Sequence, residues 1–458
     1  MSVKFEIKFL GAAGTVTGSS YLVKVFDEGD HILTFMVDHG MFQGPDVEPL
    51  NFNKYDFSPK EIDYLFLTHA HVDHCGLLPK LVRHGFGGKI FSTAQTFELA
   101  DLILFDSVKI QARQKKYEGV PELFDANDVE NTLQLFDVKR FDQEYKAGES
   151  DLKYELIRAG HILGAASVRL CYKEKVITFS GDLGRASQPI VNSADLSSKE
   201  SNYIICESLY GGKFHDNNKL VTTKFIEEIA KNIKRGGNVI VPTFSVQRSQ
   251  EILLIVNDAY KKNLLPRGVQ IYFDSPLAQR VTKVYTDNNH ELEAQFISGD
   301  PLSSRLRGDN VKFVKNYRQT QSIMKKKGNI IVTGGGMCNG GKVLSYFKSM
   351  LNQNDLLISI VGFQAEETLG RELVDGAEKV EIDNDYYDVD ARIEVFRGFS
   401  AHADQEDLLT WLNTFDKDLL EEVFLVHAEI EQSTAFKTQL DAMSLKSTIP
   451  TLGQTFLL

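Results

Sequence analysis

Within one heptapeptide, Thr68-His69-Ala70-His71-Val72-Asp73-His74, four side chains that can give a lone pair to a metal ion fall within six residues. Imidazole nitrogens with a hard carboxylate oxygen make a zinc-like donor set. His69 and His71 alternate along extended chain, so their rings can point to one side and share one ion. Asp73 and His74 follow as the chain turns toward a helix, and offer an oxygen and a second imidazole to a neighbouring ion a few Å away. One short segment can therefore seed a two-metal site. The plainer alternative is a surface loop that carries these residues by chance or holds a single structural zinc.

The element that must position this loop is the apolar run at 64–67, which reads as a buried strand. Further donors also sit at strand ends. His161 follows the strand-like residues 154–158, Asp182 follows 175–179, and His427 follows 423–426. In layered α/β folds, loops at one edge of a sheet gather polar groups into a common crevice. A carboxylate has two oxygens, so Asp182 can bridge ions roughly 3.5–4 Å apart, the spacing of hydrolytic two-metal centres.

The chain of 458 residues is too long for one ordinary core and suits two domains, one inserted into the other. Its 42 % apolar and 25 % charged content is that of a globular protein. No apolar run reaches the length of a membrane span, and the alternating start lacks the unbroken apolar core of a secretion signal. The expectation is a cytoplasmic protein with no membrane partner. Four cysteines, Cys75, Cys171, Cys206 and Cys338, lie far apart without a CxxC pair, which argues against a disulfide framework or a cysteine zinc knuckle. The net charge of −12 would ordinarily oppose binding a polyanion, unless positive potential is confined to a cleft that holds metal ions and a few arginines. Arg248, Arg280 and Arg371 are candidates for that role. The Lys-rich runs at 109–116 and 325–327 read better as solvated helix faces.

Up to about residue 200 the pattern is one of short strands, with a long helix expected over 96–117. After Glu207 it changes to alternating helix and strand: helices over 221–233 and 246–260, a helix from Leu277, and apolar strands at 238–241, 269–273, 329–332 and 356–361. That rhythm predicts a parallel sheet. Metal-ligand candidates precede this segment and His427 follows it, so it must be an insertion.

At motif level the sequence resembles the β-CASP branch of the metallo-β-lactamase superfamily, RNA-processing nucleases related to the endonuclease subunit of the cleavage and polyadenylation specificity factor. The heptapeptide resembles the superfamily's HxHxDH signature. Residues 10–19 and Val37-Asp38-His39-Gly40 look like its opening motifs. Cys206-Glu207-Ser208 is similar to motif A, Ser400-Ala401-His402-Ala403-Asp404 to motif B, and Val426-His427-Ala428 to motif C. Pro242-Thr243-Phe244-Ser245-Val246-Gln247-Arg248, Asp274-Ser275-Pro276, Gly335-Gly336-Met337 and Gly362-Phe363-Gln364 resemble the family's inserted domain. Departures are Leu209, Gln247, Gly335 and Ala428, where the family usually has Thr, Gly, Ser and Gly. They touch phosphate contact and substrate preference and remove no ligand.

The resemblance implies an α/β fold, an αββα sandwich with an inserted parallel-sheet domain: residues 1–208 and 392–458 for the sandwich, 209–391 for the insertion. It implies two zinc ions per chain, one held by His69, His71 and His161, the other by Asp73, His74 and His427, with Asp182 as the bridge and Asp38 as support. It further implies hydrolysis of single-stranded RNA, with the endonuclease group favoured by the form of motif B. His402 would be the general acid oriented by Glu207, and Arg248, Ser245 and Arg371 would contact phosphate. A homodimer and RNA-processing partners are compatible with it. The competing readings are a small-molecule metallo-hydrolase, a non-catalytic RNA-processing scaffold, and a nuclease directed at DNA.

Overall fold

Alternation in Lys4–Phe9 sets the plan of the first unit: Phe5, Ile7 and Phe9 are fully buried while the residues between them face outward. Strands of this kind build two seven-stranded sheets among the described residues, which in this computed structural model are 3–44, 46–297 and 299–458. One sheet runs, in spatial order, Thr455–Leu457, Lys4–Phe9, Ser20–Asp27, Asp30–His39, Tyr64–Phe66, Lys89–Thr93 and Phe136–Lys139. The other runs Ser447–Thr448, Glu422–Val426, Tyr203–Glu207, Lys175–Phe179, Ala166–Tyr172, Lys153–Arg158 and Glu144–Lys146. A single apolar core takes side chains from both. Its cross-sheet ring pairs include Phe9 with Phe424 at 5.5 Å, Tyr21 with Phe179 at 5.6 Å and Phe66 with Tyr154 at 5.0 Å between centroids. Each such ring buries on the order of 150–250 Å², so these pairs are what press one sheet on the other.

The long helix observed is Ala94–Glu118, begun by the Thr93 side chain accepting from Thr96 N and ended by Gly119 at φ +75°. Thr93 and Thr96 also donate their hydroxyls to Gly164 O, at 2.8 and 2.9 Å. The helix start thus holds the loop that carries His161.

Internal contacts divide the chain into Met1–Phe214 with His402–Leu458, and His215–Ala401. Met1 and Ser2, with which the expected first domain begins, lie outside the described residues, as do Pro45 and Ser298. In the second unit six strands pair in parallel in the order Val311–Phe313, Ile271–Asp274, Ile330–Gly334, Val239–Thr243, Leu357–Ile360 and Arg392–Val395. Val239–Thr243 and Ile330–Gly334 are buried along their whole length, which is why they read as continuous apolar runs. The expected edges at 208/209 and 391/392 differ from the observed division. Arg392–Val395 is the last strand of the inserted sheet, paired through Leu357↔Arg392 to Ile360↔Val395, and its half-buried side chains gave no apolar signal. The short strands Val311–Phe313, Lys379–Ile382 and Asp385–Asp388 were not foreseen either, although Val311, Val380 and Ile382 alternate with polar residues and are buried. No helix among the described residues is long and apolar enough to cross a membrane.

Candidate metal centre

The histidine loop leaves the end of Tyr64–Phe66 and stays extended until His71 caps the short helix Val72–Cys75. It is pinned from two directions. Asp38 accepts from Thr68 N at 2.8 Å and from Thr68 Oγ1 at 2.8 Å. Met41 N donates to Val72 O at 3.0 Å and Ser19 N to Asp73 O at 2.8 Å. Chain passes so near that a Cβ on Gly40 would stand 1.6 Å from Asp73 O, so only glycine fits there. Asp38 itself has φ +54° and His427 φ +53°, both uncommon for non-glycine residues. His427 N donates to Ala12 O at 2.7 Å, which helps hold that turn. Backbone strain of this sort persists where surrounding bonds over-determine it.

These constraints fix ring orientation. Because Thr68 Oγ1 donates to Asp38, it accepts from His69 Nδ1–H at 3.1 Å, leaving the His69 Nε2 lone pair inward. His74 donates Nδ1–H to Asp38 Oδ2 at 2.7 Å and likewise turns Nε2 inward. Outer carboxylate and hydroxyl partners of this kind commonly set the tautomer of metal-binding histidines.

His71 Nδ1 lies 3.1 Å from both His69 Nε2 and His161 Nε2. Asp182 Oδ2 stands 3.4 Å from His69 Nε2 and 3.6 Å from His161 Nε2. Four donors bound tetrahedrally at about 2.0–2.1 Å lie about 3.3 Å apart, so this group matches the shell of one zinc-sized ion. A second group adjoins it. His427 Nε2 is 3.3 Å from Asp73 Oδ2, while Asp182 Oδ1 is 3.2 Å from His74 Nε2 and 3.6 Å from His427 Nδ1. The two oxygens of Asp182 therefore face two different donor groups. Asp182 Oδ1 and His427 Nδ1 are buried without a hydrogen-bond partner among the described residues, an expense that a bound cation removes. The residues present fit divalent metal. His161 Nδ1 is also buried without such a partner, so its ring lacks the outer anchor that His69 and His74 have.

Burial, with the neighbouring rings His74 and His402 respectively, holds His69 and His161 well below the usual histidine range. Burial pushes His71 down to about 4. These rings are neutral lone-pair donors at pH 7. For His74 burial acts downward, but the carboxylates of Asp182 and Asp38 outweigh it and hold the ring well above its ordinary range. A metal ion bound at His74 would therefore displace a proton. Burial would raise Asp182, yet the rings of His427, His74 and His69 hold it well below the usual carboxylate range.

His402 comes to the same place through a backbone bridge to Gly184 and the bond from Ala403 N to Leu183 O, 2.7 Å. Its Nδ1 is 3.3 Å from Glu207 Oε2, 3.4 Å from Glu207 Oε1 and 3.9 Å from Asp182 Oδ2. Glu207 is buried and also accepts from Leu183 N at 2.5 Å. Burial acts to lower His402, but the Glu207 carboxylate prevails and raises it. At 19 % side-chain exposure it is more open to solvent than His69, His74, His161 or His427. His402 could also join Asp182 and His427 as a metal donor, since the three bring ligand atoms within 4.8 Å of one another.

The residues expected to meet phosphate belong to the second unit. Arg248 is buried and ion-paired with buried Glu251. Arg371 pairs with Asp375 at 2.8 Å and keeps 41 % of its side chain exposed, and Ser245 is half-buried. The sequence reading gave no role to Ser19, whose Oγ is 3.3 Å from His74 Nε2, or to Ser180, whose Oγ accepts from Glu207 N at 2.9 Å. Neither residue type signals such a duty. Asp404 of motif B is the N-cap of Gln405–Leu412 and forms a reciprocal capping box with Asp407, a pattern readable as Asp-x-x-Asp. Cys75 is buried, and burial raises its thiol, leaving it a small apolar neighbour.

A paired-donor centre at the strand ends of a two-sheet sandwich defines a class, and comparison with known proteins agrees. The sequence matches the metallo-beta-lactamase superfamily over residues 13–222, the Beta-Casp domain over 249–373 and the Zn-dependent metallo-hydrolase RNA specificity domain over 386–450. The chain belongs to the metallo-β-lactamase superfamily, in its β-CASP branch. It is 32 % identical over 430 residues to Ribonuclease TTHA0252 of Thermus thermophilus, covering 93 % of each chain. To Probable RNase MJ4 of Methanocaldococcus jannaschii it is 31 % identical over 457 residues, covering 98 % of this chain and 99 % of the other. A crystal structure of a protein of unknown function from Enterococcus faecalis V583 shares the fold with a TM-score of 0.56 at 12 % identity, covering 99 % of this chain and 100 % of that one.

Proposed function

We propose that the protein is a zinc-dependent ribonuclease that hydrolyses single-stranded RNA, endonucleolytically, with two ions per chain. The observation that carries this reading is the division of Asp182, with one oxygen toward His69 and His161 and the other toward His74 and His427. The names of the relatives support RNA as the substrate.

A pair of zinc ions there would supply hydroxide near neutral pH and neutralise charge on the phosphate oxygens. The chain's own residues must then position the strand and move a proton. Glu207 holds His402 Nδ1–H and favours the charged ring. We assign His402 Nε2 to the leaving 3′-oxygen, which departs as an alcohol once protonated. Asp38 and Thr68 keep His69 and His74 in the donor tautomer throughout. Arg371 and Ser245 are the phosphate contacts we assign in the second unit, with Arg248 once its pair with Glu251 is exchanged.

The test is purified protein on end-labelled linear and on circular single-stranded RNA. Opening of the circle, lost on chelation and restored by zinc, is the expected result. Shortening of the linear strand with an intact circle would replace endonuclease by exonuclease, and no cleavage of either would remove the ribonuclease reading.

A further inference from the structure

All strands of the inserted sheet run the same way, so the loops that follow them lie along one edge, where open α/β sheets bind ligands. Phe244 directly follows Val239–Thr243 and is 37 % exposed, and Phe363, shortly after the neighbouring strand Leu357–Ile360, is 53 % exposed. Large apolar side chains left open on the loops after two paired strands need a reason.

The backbone around Phe244 is shaped for its ring. A Cβ on Gly336 would stand 2.9 Å from Phe244 Cγ and 3.0 Å from both Cδ atoms, and those near-equal distances place the point over the ring face. On Gly362 it would meet Phe244 Cε2 at 3.0 Å. Neither glycine is recorded with a positive φ, so ring clearance is the demand that each position makes. Buried Gln364 fastens the two loops together: its Nε2 donates to Gly336 O at 2.8 Å, to Phe363 O at 2.9 Å and to Gly362 O at 3.2 Å. Two loops thus fix one aromatic ring on a glycine bed while more than a third of the residue stays open.

We propose that Phe244 and Phe363 form a stacking platform for a nucleobase of the substrate strand. This rests on the ribonuclease reading and deepens it: the second unit would grip bases as well as phosphates. A fixed aromatic face suits unpaired bases of any identity, because every base has a π-face, whereas bases within a duplex are already stacked on each other.

The experiment measures binding by fluorescence anisotropy with an end-labelled phosphorothioate oligoadenylate and with an abasic strand of equal length. Phe244→Leu keeps an apolar filler over Gly336 and Gly362 without the aromatic face, and Phe363→Ala alters an exposed side chain with little demand on folding. Each is expected to raise Kd for the base-bearing strand about 5- to 100-fold and to leave the abasic strand and zinc content unchanged. Equal weakening of both strands, or no weakening while the unaltered protein still cuts RNA, would overturn the platform alone. A changed sedimentation coefficient with unchanged RNA affinity would overturn it in favour of a contact between copies of the chain. Unaltered protein that neither binds nor cuts RNA would remove the ribonuclease reading and the platform together.

Discussion

In the first unit the strand ends present His69, His71, His161, Asp182 and His427 to one another; in the second they present Phe244, Phe363 and a set of glycines. The two regions differ most in how their polar groups are satisfied. In the insertion Arg248 pairs with Glu251, Gln247 with both Glu251 and the Tyr285 hydroxyl, and Asp274 with Thr320 and Tyr346, and most buried atoms left unpartnered there, such as Gln250 Oε1, Asn257 Oδ1 and Ser359 Oγ, belong to neutral amide or hydroxyl side chains. At the metal centre ring nitrogens face ring nitrogens at 3.1 Å, and buried donors stand unpartnered. Native interiors rarely leave such groups unmatched. The difference is one of clustering: among the described residues, only at the metal centre do three or more imidazole and carboxylate ligand atoms gather within 4.8 Å of one another.

The comparison can be broken at several points. Asp182→Ala takes both oxygens away at once, and we expect cleavage to fall by roughly 10³-fold or more with zinc content, measured by metal analysis beside labelled-RNA turnover. Full metal occupancy in that variant would mean that the facing lone pairs are not an ion site. His402→Ala should slow cleavage by about 10²- to 10⁴-fold with metal content and melting temperature unchanged. Lost zinc would instead make His402 a ligand, as its proximity to Asp182 and His427 allows. Asp38→Ala touches no ion, yet it frees Thr68 and His74, so zinc affinity should drop roughly 10- to 100-fold in a competition titration with a chelator. The smallest effect is expected of Arg371→Ala. Its partner Asp375 is largely exposed, and such pairs contribute about 0–1 kcal/mol, so stability should hold, while loss of one exposed phosphate contact should raise KM by about threefold. An unchanged KM would take the phosphate contact away from Arg371.

Much of the centre was legible because its donors are types that rarely cluster: the heptapeptide stood out by its spacing, and His161, Asp182 and His427 by strand-end placement read together with the family resemblance. The role of Asp38 came only through resemblance, since a single aspartate after a strand carries no signal of its two bonds to Thr68. Left-handed φ at Asp38 and His427 was invisible, as sequence marks that conformation by glycine and these residues are not glycine. The inserted strands that pack on both faces were legible as apolar runs, whereas edge strand Arg392–Val395 was not, which moved the expected domain boundary. Arg248 shows the opposite failure: an arginine in a promising motif looks free until its buried neighbour Glu251 is seen.

Order along the chain has a consequence for synthesis. His69, His71, His161 and Asp182 are made before the insertion, but His402 and His427 only after it, and the strand Thr455–Leu457 that closes against Lys4–Phe9 is made later still. Domains tend to fold as they emerge from the ribosome, so the early donors can gather while His402 and His427 do not yet exist. With His402 and His427 in the roles proposed, a ribonuclease built in this order would stay unarmed while its own messenger is being translated.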